Sequence, residues 1–246
     1  MNVNAGVALV TGGNRGIGYH IVSQLAERGN HVYLAARDVS RGRAAAGVLT
    51  EQGLDVEFLR LDVTDPASVS AAAEHVDRAT GRLDILVNNA AITSGLDPAS
   101  AMTVDDLRRT FDTNVFGVAA VTNTFLPLLR RSSSPRIVNV SSAMGSIALI
   151  ADPDVEVTKL NQAAYQTSKA ALNALTVLYA NELRADNVKV NAVCPGYRAT
   201  ELNGGLPTPG AGDPAEGAKV AVAMATIGDD GPTAQFRGDT GAVYPW

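Results

Sequence analysis

The chain has 246 residues, of which 46% are hydrophobic, 18% charged and 5% aromatic, the composition of a globular core built mainly from Ala, Val and Leu. Twenty Lys+Arg against 25 Asp+Glu leave a net charge of −5, so there is no field of positive charge to hold nucleic acid. One cysteine excludes an internal disulfide and any CxxC metal site, and the histidines at 20, 31 and 75 lack zinc-ligand spacing.

The predicted elements alternate along the chain. Strands are expected at Val7–Thr11, His31–Ala36, Val56–Leu61, Ile85–Asn88, Arg136–Ser142, Lys189–Cys194 and Phe236–Gly238. Helices are expected at Gly16–Arg28, Ser40–Glu51, Pro66–Ala79, Val104–Arg130 with a break near Thr113, Ala163–Ala185 and Pro214–Ala225. Strands separated by helices of this length form βαβ units around a parallel sheet, and right-handed crossovers put helices on both faces. The early strands are continuously apolar, as strands buried on both faces are. The fold class is therefore α/β, a Rossmann-like doubly wound parallel sheet in one domain covering residues 1–246. Two irregular segments, Ala143–Gln162 and Thr200–Asp213, follow strands whose carboxyl ends face one crevice, and both are expected to wall a substrate site. No apolar run approaches the roughly 18 residues of a membrane span, and no basic segment precedes an apolar one at the N-terminus. The expectation is a cytoplasmic, metal-free protein that uses neither membrane nor nucleic acid.

The first strand runs into Thr11-Gly12-Gly13-Asn14-Arg15-Gly16-Ile17-Gly18 and then a helix. A glycine triplet in that context reads as a dinucleotide phosphate turn. Gly12 permits the tight turn, Gly16 lets the backbone approach a pyrophosphate, and Gly18 lets helix and strand pack closely. The helix N-terminus adds unpaired N–H groups and a positive dipole end. In an NAD site, an acid near the end of the second strand takes the ribose 2′-hydroxyl. Here that strand ends in Arg37, with Asp38 one place later, Arg15 in the glycine turn and Arg41 opening the next helix. Three guanidinium groups suit a 2′-phosphate. The site reads as one for NADPH/NADP+, with NADH as the weaker alternative, and Asp38 is left either to cap the helix or to capture the ribose.

Further along stand Asp62-Val63, Asn88-Asn89-Ala90, Asn114, Ser141-Ser142, Tyr165-Gln166-Thr167-Ser168-Lys169 and Pro195-Gly196. With the glycine turn, this set resembles the short-chain dehydrogenase/reductase family over nearly the whole chain. The run Ala36–Gly42 is similar to that of its NADPH-dependent carbonyl reductases. The resemblance implies roles for individual residues. Asp62 would hold the adenine amino group beside the Val63 backbone, and Asn88 and Ala90 would line the groove. Asn114 would hold a water, Ser142 would polarise the substrate carbonyl, Tyr165 would be the acid/base and Lys169 its partner on the ribose hydroxyls. Pro195 and Gly196 lead to Thr200, which would hold the nicotinamide carboxamide.

Four features depart from the family pattern. Ala91 replaces a glycine, and Arg198 stands where a small apolar residue is common, within reach of the substrate pocket or the phosphates. The interval from Ser142 to Tyr165 is longer than usual, which leaves self-association undecided. Ser141 and Ser142 compete for one role, although strand alternation points them to opposite faces.

Tyr165 and Lys169 share a helix face. A cationic Lys169, with the positive nicotinamide of the oxidised cofactor, is expected to lower the Tyr165 pKa toward neutrality, while Ser142 donates to the developing oxyanion. The leading reading is an NADPH-dependent reductase of ketones, ketoesters or aldehydes, reversible as an alcohol dehydrogenase, on a small-molecule carbonyl or alcohol. A second reading is a reductase of a carrier-bound 3-oxoacyl or polyketide substrate, with Arg130, Arg131 and Arg136 as a candidate carrier patch. A third is a non-catalytic NADP(H) sensor, since fold alone does not fix function.

Overall fold

A computed structural model describes residues 6–155, 160, 162–203 and 210–246. Seven parallel strands form one sheet in the order β3-β2-β1-β4-β5-β6-β7. They are β1 (Val7–Thr11), β2 (His31–Ala36), β3 (Val56–Arg60), β4 (Ile85–Asn88), β5 (Arg136–Val140), β6 (Lys189–Cys194) and β7 (Phe236–Gly238). The helices between them are α1 (Gly16–Ala26), α2 (Val39–Glu51), α3 (Pro66–Thr80), α4 (Val104–Phe111), α5 (Gly117–Leu129), a short α6 (Ile147–Ile150), α7 (Ala163–Glu182) and α8 (Pro214–Ala225).

Side-chain alternation along β1 divides the core into two layers. Ala8 and Val10 pack with Ile21, Val22 and Leu25 of α1 and with Val222 of α8. Val7 and Leu9 point the other way, onto Val121 and Phe125 of α5, Val76 of α3 and Ala180 of α7. Each layer buries one face of the sheet, which is why the strands carry no polar alternation. Leu9 pairs in register with Tyr33 on one side and Leu86 on the other. The order reverses between β1 and β4, so the crevice opens above their carboxyl ends.

Local chemistry fixes several boundaries. The carboxylates of Asp38, Asp65 and Asp213 accept from backbone N–H groups at the starts of α2, α3 and α8. Pro66 and Pro214 sit in the first turns of α3 and α8, and Gly81 ends α3 in the left-handed region at φ 70°. Asp38 thus takes the capping alternative.

Some boundaries move, and the helix break falls where it was expected. The predicted strand Arg136–Ser142 stops at Val140, and Ser142 opens a 3-10 turn at Ala143–Gly145. The predicted long helix Val104–Arg130 is interrupted by a π-helical segment, Asp112–Phe116, at the expected place. The helix predicted to reach Ala185 ends at Glu182. Residues 156–159 and 161 of the first irregular segment and 204–209 of the second lie outside the described residues. Among the described residues no helix is long and apolar enough to cross a membrane.

Candidate active site

The turns after β1 and β4 are tied together. Thr11 Oγ1 accepts from the backbone N–H groups of Asn89 and Ala90, each at 3.0 Å. The Asn89 amide donates back to Thr11 O and Gly12 O at 2.9 and 3.2 Å. This lashing leaves no space for side chains. Gly12 sits at φ +64°, and a Cβ on it would stand 3.0 Å from Ala90 Cα. A Cβ on Gly18 would stand 2.4 Å from Gly12 O.

The result is an open groove above the carboxyl ends of the strands. Gly12, Arg15, Gly16, Ile17, Gly18, Arg37, Asp62, Val63, Ala90 and Thr200 line it, and Ala91 lies beside them. At its floor α1 begins without a side-chain cap. Its neighbours α2 and α3 are capped by carboxylates, so the first-turn N–H groups of α1 are left for an anion. Asp62 is held rigid because Oδ1 accepts from Thr64 N and Thr64 Oγ1 at 3.0 and 2.8 Å. A glycine cradle, an uncapped helix end and exposed arginines at one end are the donor set of a phosphorylated dinucleotide site.

The arginines are arranged unequally. Arg37 lines the groove and makes no ion pair among the described residues. Arg15 pairs with Glu201, and Arg41 Nη1 lies 4.0 Å from the same Glu201 oxygen. Glu201 was not singled out in the sequence.

The catalytic candidates Ser142, Tyr165, Lys169 and Asn114 gather together but do not themselves line the groove. Ser142 Oγ accepts from Met144 N at 3.2 Å, which fixes its direction. Tyr165 is buried on α7, and the Ser142 hydroxyl acts on it to favour the phenolate. Lys169 is also buried. Its Nζ donates to Val140 O at 2.8 Å and lies 5.5 Å from the Tyr165 ring centroid. Ser141 diverges from Ser142, donating to Asn173 Oδ1 at 2.6 Å within the core.

Asn114 sits inside the π-helical segment, fully buried. Its Oδ1 accepts from Ile92 N at 2.9 Å. Its Nδ2 donates to Ile92 O and Ser168 Oγ at 2.9 and 3.0 Å. Ser168 donates on to Tyr165 O at 2.7 Å. Both amide hydrogens of Asn114 are therefore committed to bracing α7 against the loop after β4.

The electrostatics differ from the sequence expectation. Burial raises the Tyr165 pKa well above that of a free phenol, against the pull of the Ser142 hydrogen bond. Burial also pulls Lys169 down to about 8. In the chain alone, desolvation of the phenolate dominates Tyr165, whereas the expected lowering belongs to the site with the oxidised cofactor bound. Cys194, buried at the end of β6 and accepting from Ala143 N at 3.2 Å, is itself pushed up by burial and stays a neutral thiol.

Several predicted residues stand elsewhere. Asn88 does not line the groove. It shares strand parity with Leu86, so it points into the layer under α5 and donates to Thr122 Oγ1 and Asn139 Oδ1 at 3.1 and 2.9 Å. Asn89 takes the groove position instead. Asn14 lies in the turn but does not line the groove. Pro195 and Gly196 follow β6, where Gly196 adopts φ 75°. Arg198 does not line the groove; it pairs with Asp239 and donates to Pro195 O. Arg130 and Arg131 pair with Asp186 and Asp77, and Arg136 is buried against Asp229. These three lie around the end of α5 and the start of β5, at the amino ends of the strands, opposite the crevice. No carrier patch forms from them.

Comparison with known proteins agrees with this architecture. The short chain dehydrogenase family matches residues 6–209. Salutaridine reductase of Papaver bracteatum is 35% identical, with 93% of each chain covered. Carbonyl reductase [NADPH] 1 of Sus scrofa is 34% identical, covering 100% of this chain and 99% of its own. The crystal structure of NADPH-bound carbonyl reductase from chicken fatty liver superposes with a TM-score of 0.87 at 27% identity, covering 99% of this chain and 100% of that one. With its parallel sheet, its glycine turn and the Ser142, Tyr165 and Lys169 cluster, the chain belongs to the short chain dehydrogenase family.

Proposed function

We propose that the chain is an NADPH-dependent carbonyl reductase acting on a small ketone, ketoester or aldehyde. The observation that carries this reading is a buried Tyr165 backed by Lys169 and joined through Ser168 and Asn114 to Ile92, which lines the groove that also holds Arg15 and Arg37. The names of the Sus scrofa and chicken relatives support the cofactor and the carbonyl substrate.

The dinucleotide, when bound, supplies the hydride. Gly12, Gly16, Ile17 and Gly18 would hold its phosphates, Asp62 and Val63 its adenine, Arg15, Arg37 and Arg41 its 2′-phosphate, and Thr200 its nicotinamide end. Tyr165 gives its hydroxyl proton to the carbonyl oxygen. Ser142 donates to the same oxygen as negative charge develops on it. Lys169, with a pKa of about 8, carries its proton at neutral pH and stabilises the tyrosinate left behind. Asn114 keeps α7, and with it Tyr165, in place through Ser168.

Replacing Tyr165 by Phe removes the proton donor without opening a cavity. The rate of carbonyl reduction is expected to fall at least ~100-fold, with NADPH binding retained. A Tyr165→Phe rate within a few-fold of wild type overturns the mechanism. Ser142→Ala is expected to cost roughly 100- to 1,000-fold in kcat, the usual loss on removing one oxyanion donor.

A further inference from the structure

We propose that Glu201 is an internal counter-anion of the 2′-phosphate pocket and that it tunes the preference of the chain for NADPH over NADH. This rests on the NADPH reading above. One carboxylate gathers two of the three expected phosphate-binding guanidinium groups. Glu201 Oε2 pairs with Arg15, in the turn after β1, and lies 4.0 Å from Arg41 Nη1, in the first turn of α2. Arg37, the third, makes no ion pair among the described residues.

The backbone delivers Glu201 to this place. Ala199 N donates to Gly212 O, and Gly212 N to Tyr197 O, both at 3.0 Å. Arg198 clamps the same base to Asp239. One residue beyond, the Thr200 methyl stands 3.3 Å from where a Cβ on Gly16 would be, so it packs over the glycine turn. Three consecutive residues, Thr200, Glu201 and Leu202, therefore lie along the groove. Thr200 reaches the glycine turn while Glu201 reaches the arginines at its end.

A 2′-phosphate and the Glu201 carboxylate want the same N–H donors and repel each other. A 2′-hydroxyl is uncharged and leaves the ion pair intact. Glu201 thus weakens the binding of one dinucleotide and is indifferent to the other. The side chains of Arg15 and Glu201 are each about half exposed, at 48% and 56%. Solvent screening therefore limits the effect to about two- to fivefold in Kd.

The test is calorimetric or fluorescence titration of the full chain with NADPH and with NADH. It uses wild type, Glu201→Gln, Arg15→Ala and the double variant. The expected result is that Glu201→Gln binds NADPH about two- to fivefold more tightly with NADH unchanged. The gain should shrink in high salt and vanish in the Arg15→Ala background, as a coupled pair requires. The proposal is overturned if Glu201→Gln leaves NADPH affinity unchanged, weakens it, or tightens both dinucleotides equally. It is also overturned if the gain survives Arg15→Ala. A wild type that binds both dinucleotides equally removes the NADPH reading too. A clear NADPH preference that ignores Glu201→Gln removes only the role of Glu201.

Discussion

Tyr165 and Lys169 sit one turn apart on α7, and burial moves their pKa values in opposite directions. Each shift disfavours the charged form. Reduction needs the proton on Tyr165 and the charge on Lys169. Reductive kcat/KM is therefore expected to be flat near neutral pH and to fall as Lys169 deprotonates above about 8. Alcohol oxidation needs the tyrosinate and is expected to keep rising with pH over the same interval. Initial rates in both directions from pH 6 to 10 (a span of ~4 units) check this. A reductive rate that rises above pH 8 contradicts the assignment of Lys169. The same shift affects stability. Between about 8 and the ordinary lysine value of 10.5, the unfolded chain holds more protons at Lys169 than the folded one. Its burial therefore opposes folding in full below about 8, and the penalty fades as pH rises through 10.5.

At the level of helices and strands, the starts of α3 and α8 were legible because Asp-Pro pairs announce them at Asp65-Pro66 and Asp213-Pro214. Asp213→Ala is expected to cost about 1 kcal/mol of stability in chemical denaturation, by loss of the cap to Ala215 N. The end of β5 was not legible. Ser141 N still donates to Val193 O at 2.7 Å, so local propensity favours continuing the strand. The turn comes from Ser142 capping the next segment. A helix break near Thr113 was expected, but its π-helical form is enforced by Asn114 reaching Ile92 on another loop. The second core layer depends on Phe125, fully buried on α5. Phe125→Ala is expected to destabilise the fold by about 3–5 kcal/mol, read from the midpoint shift in urea.

For the whole molecule, the groove joins segments from both halves of the sheet. A ligand that bridges the turns after β1, β3 and β4 and the segment after β6 must stabilise the folded state by mass action. At ~100 times its Kd, NADPH is expected to add about 2.7 kcal/mol. In a chain of this size that raises Tm by roughly 5–10 °C. Differential scanning calorimetry with and without NADPH measures it, and no shift at saturating NADPH would contradict the assignment of the groove.

The alternation of apolar strands with Ala-rich helices determined the sheet, because a parallel strand buried on both faces leaves an unbroken apolar run. The glycine turn was equally legible, since Gly12 and Gly18 occupy places where no Cβ fits. Tyr165 and Lys169 were placed on one face by helical periodicity alone. What local pattern could not supply were contacts between distant segments. Strand parity turned Asn88 into the core and left Asn89 at the groove. In the chain alone burial raises Tyr165, because desolvation is a property of the packed site and not of the spacing between two residues. Glu201 joined Arg15 across 186 positions of chain. An ion pair of that kind has no periodicity, so it exists only once the strands have brought their carboxyl ends together.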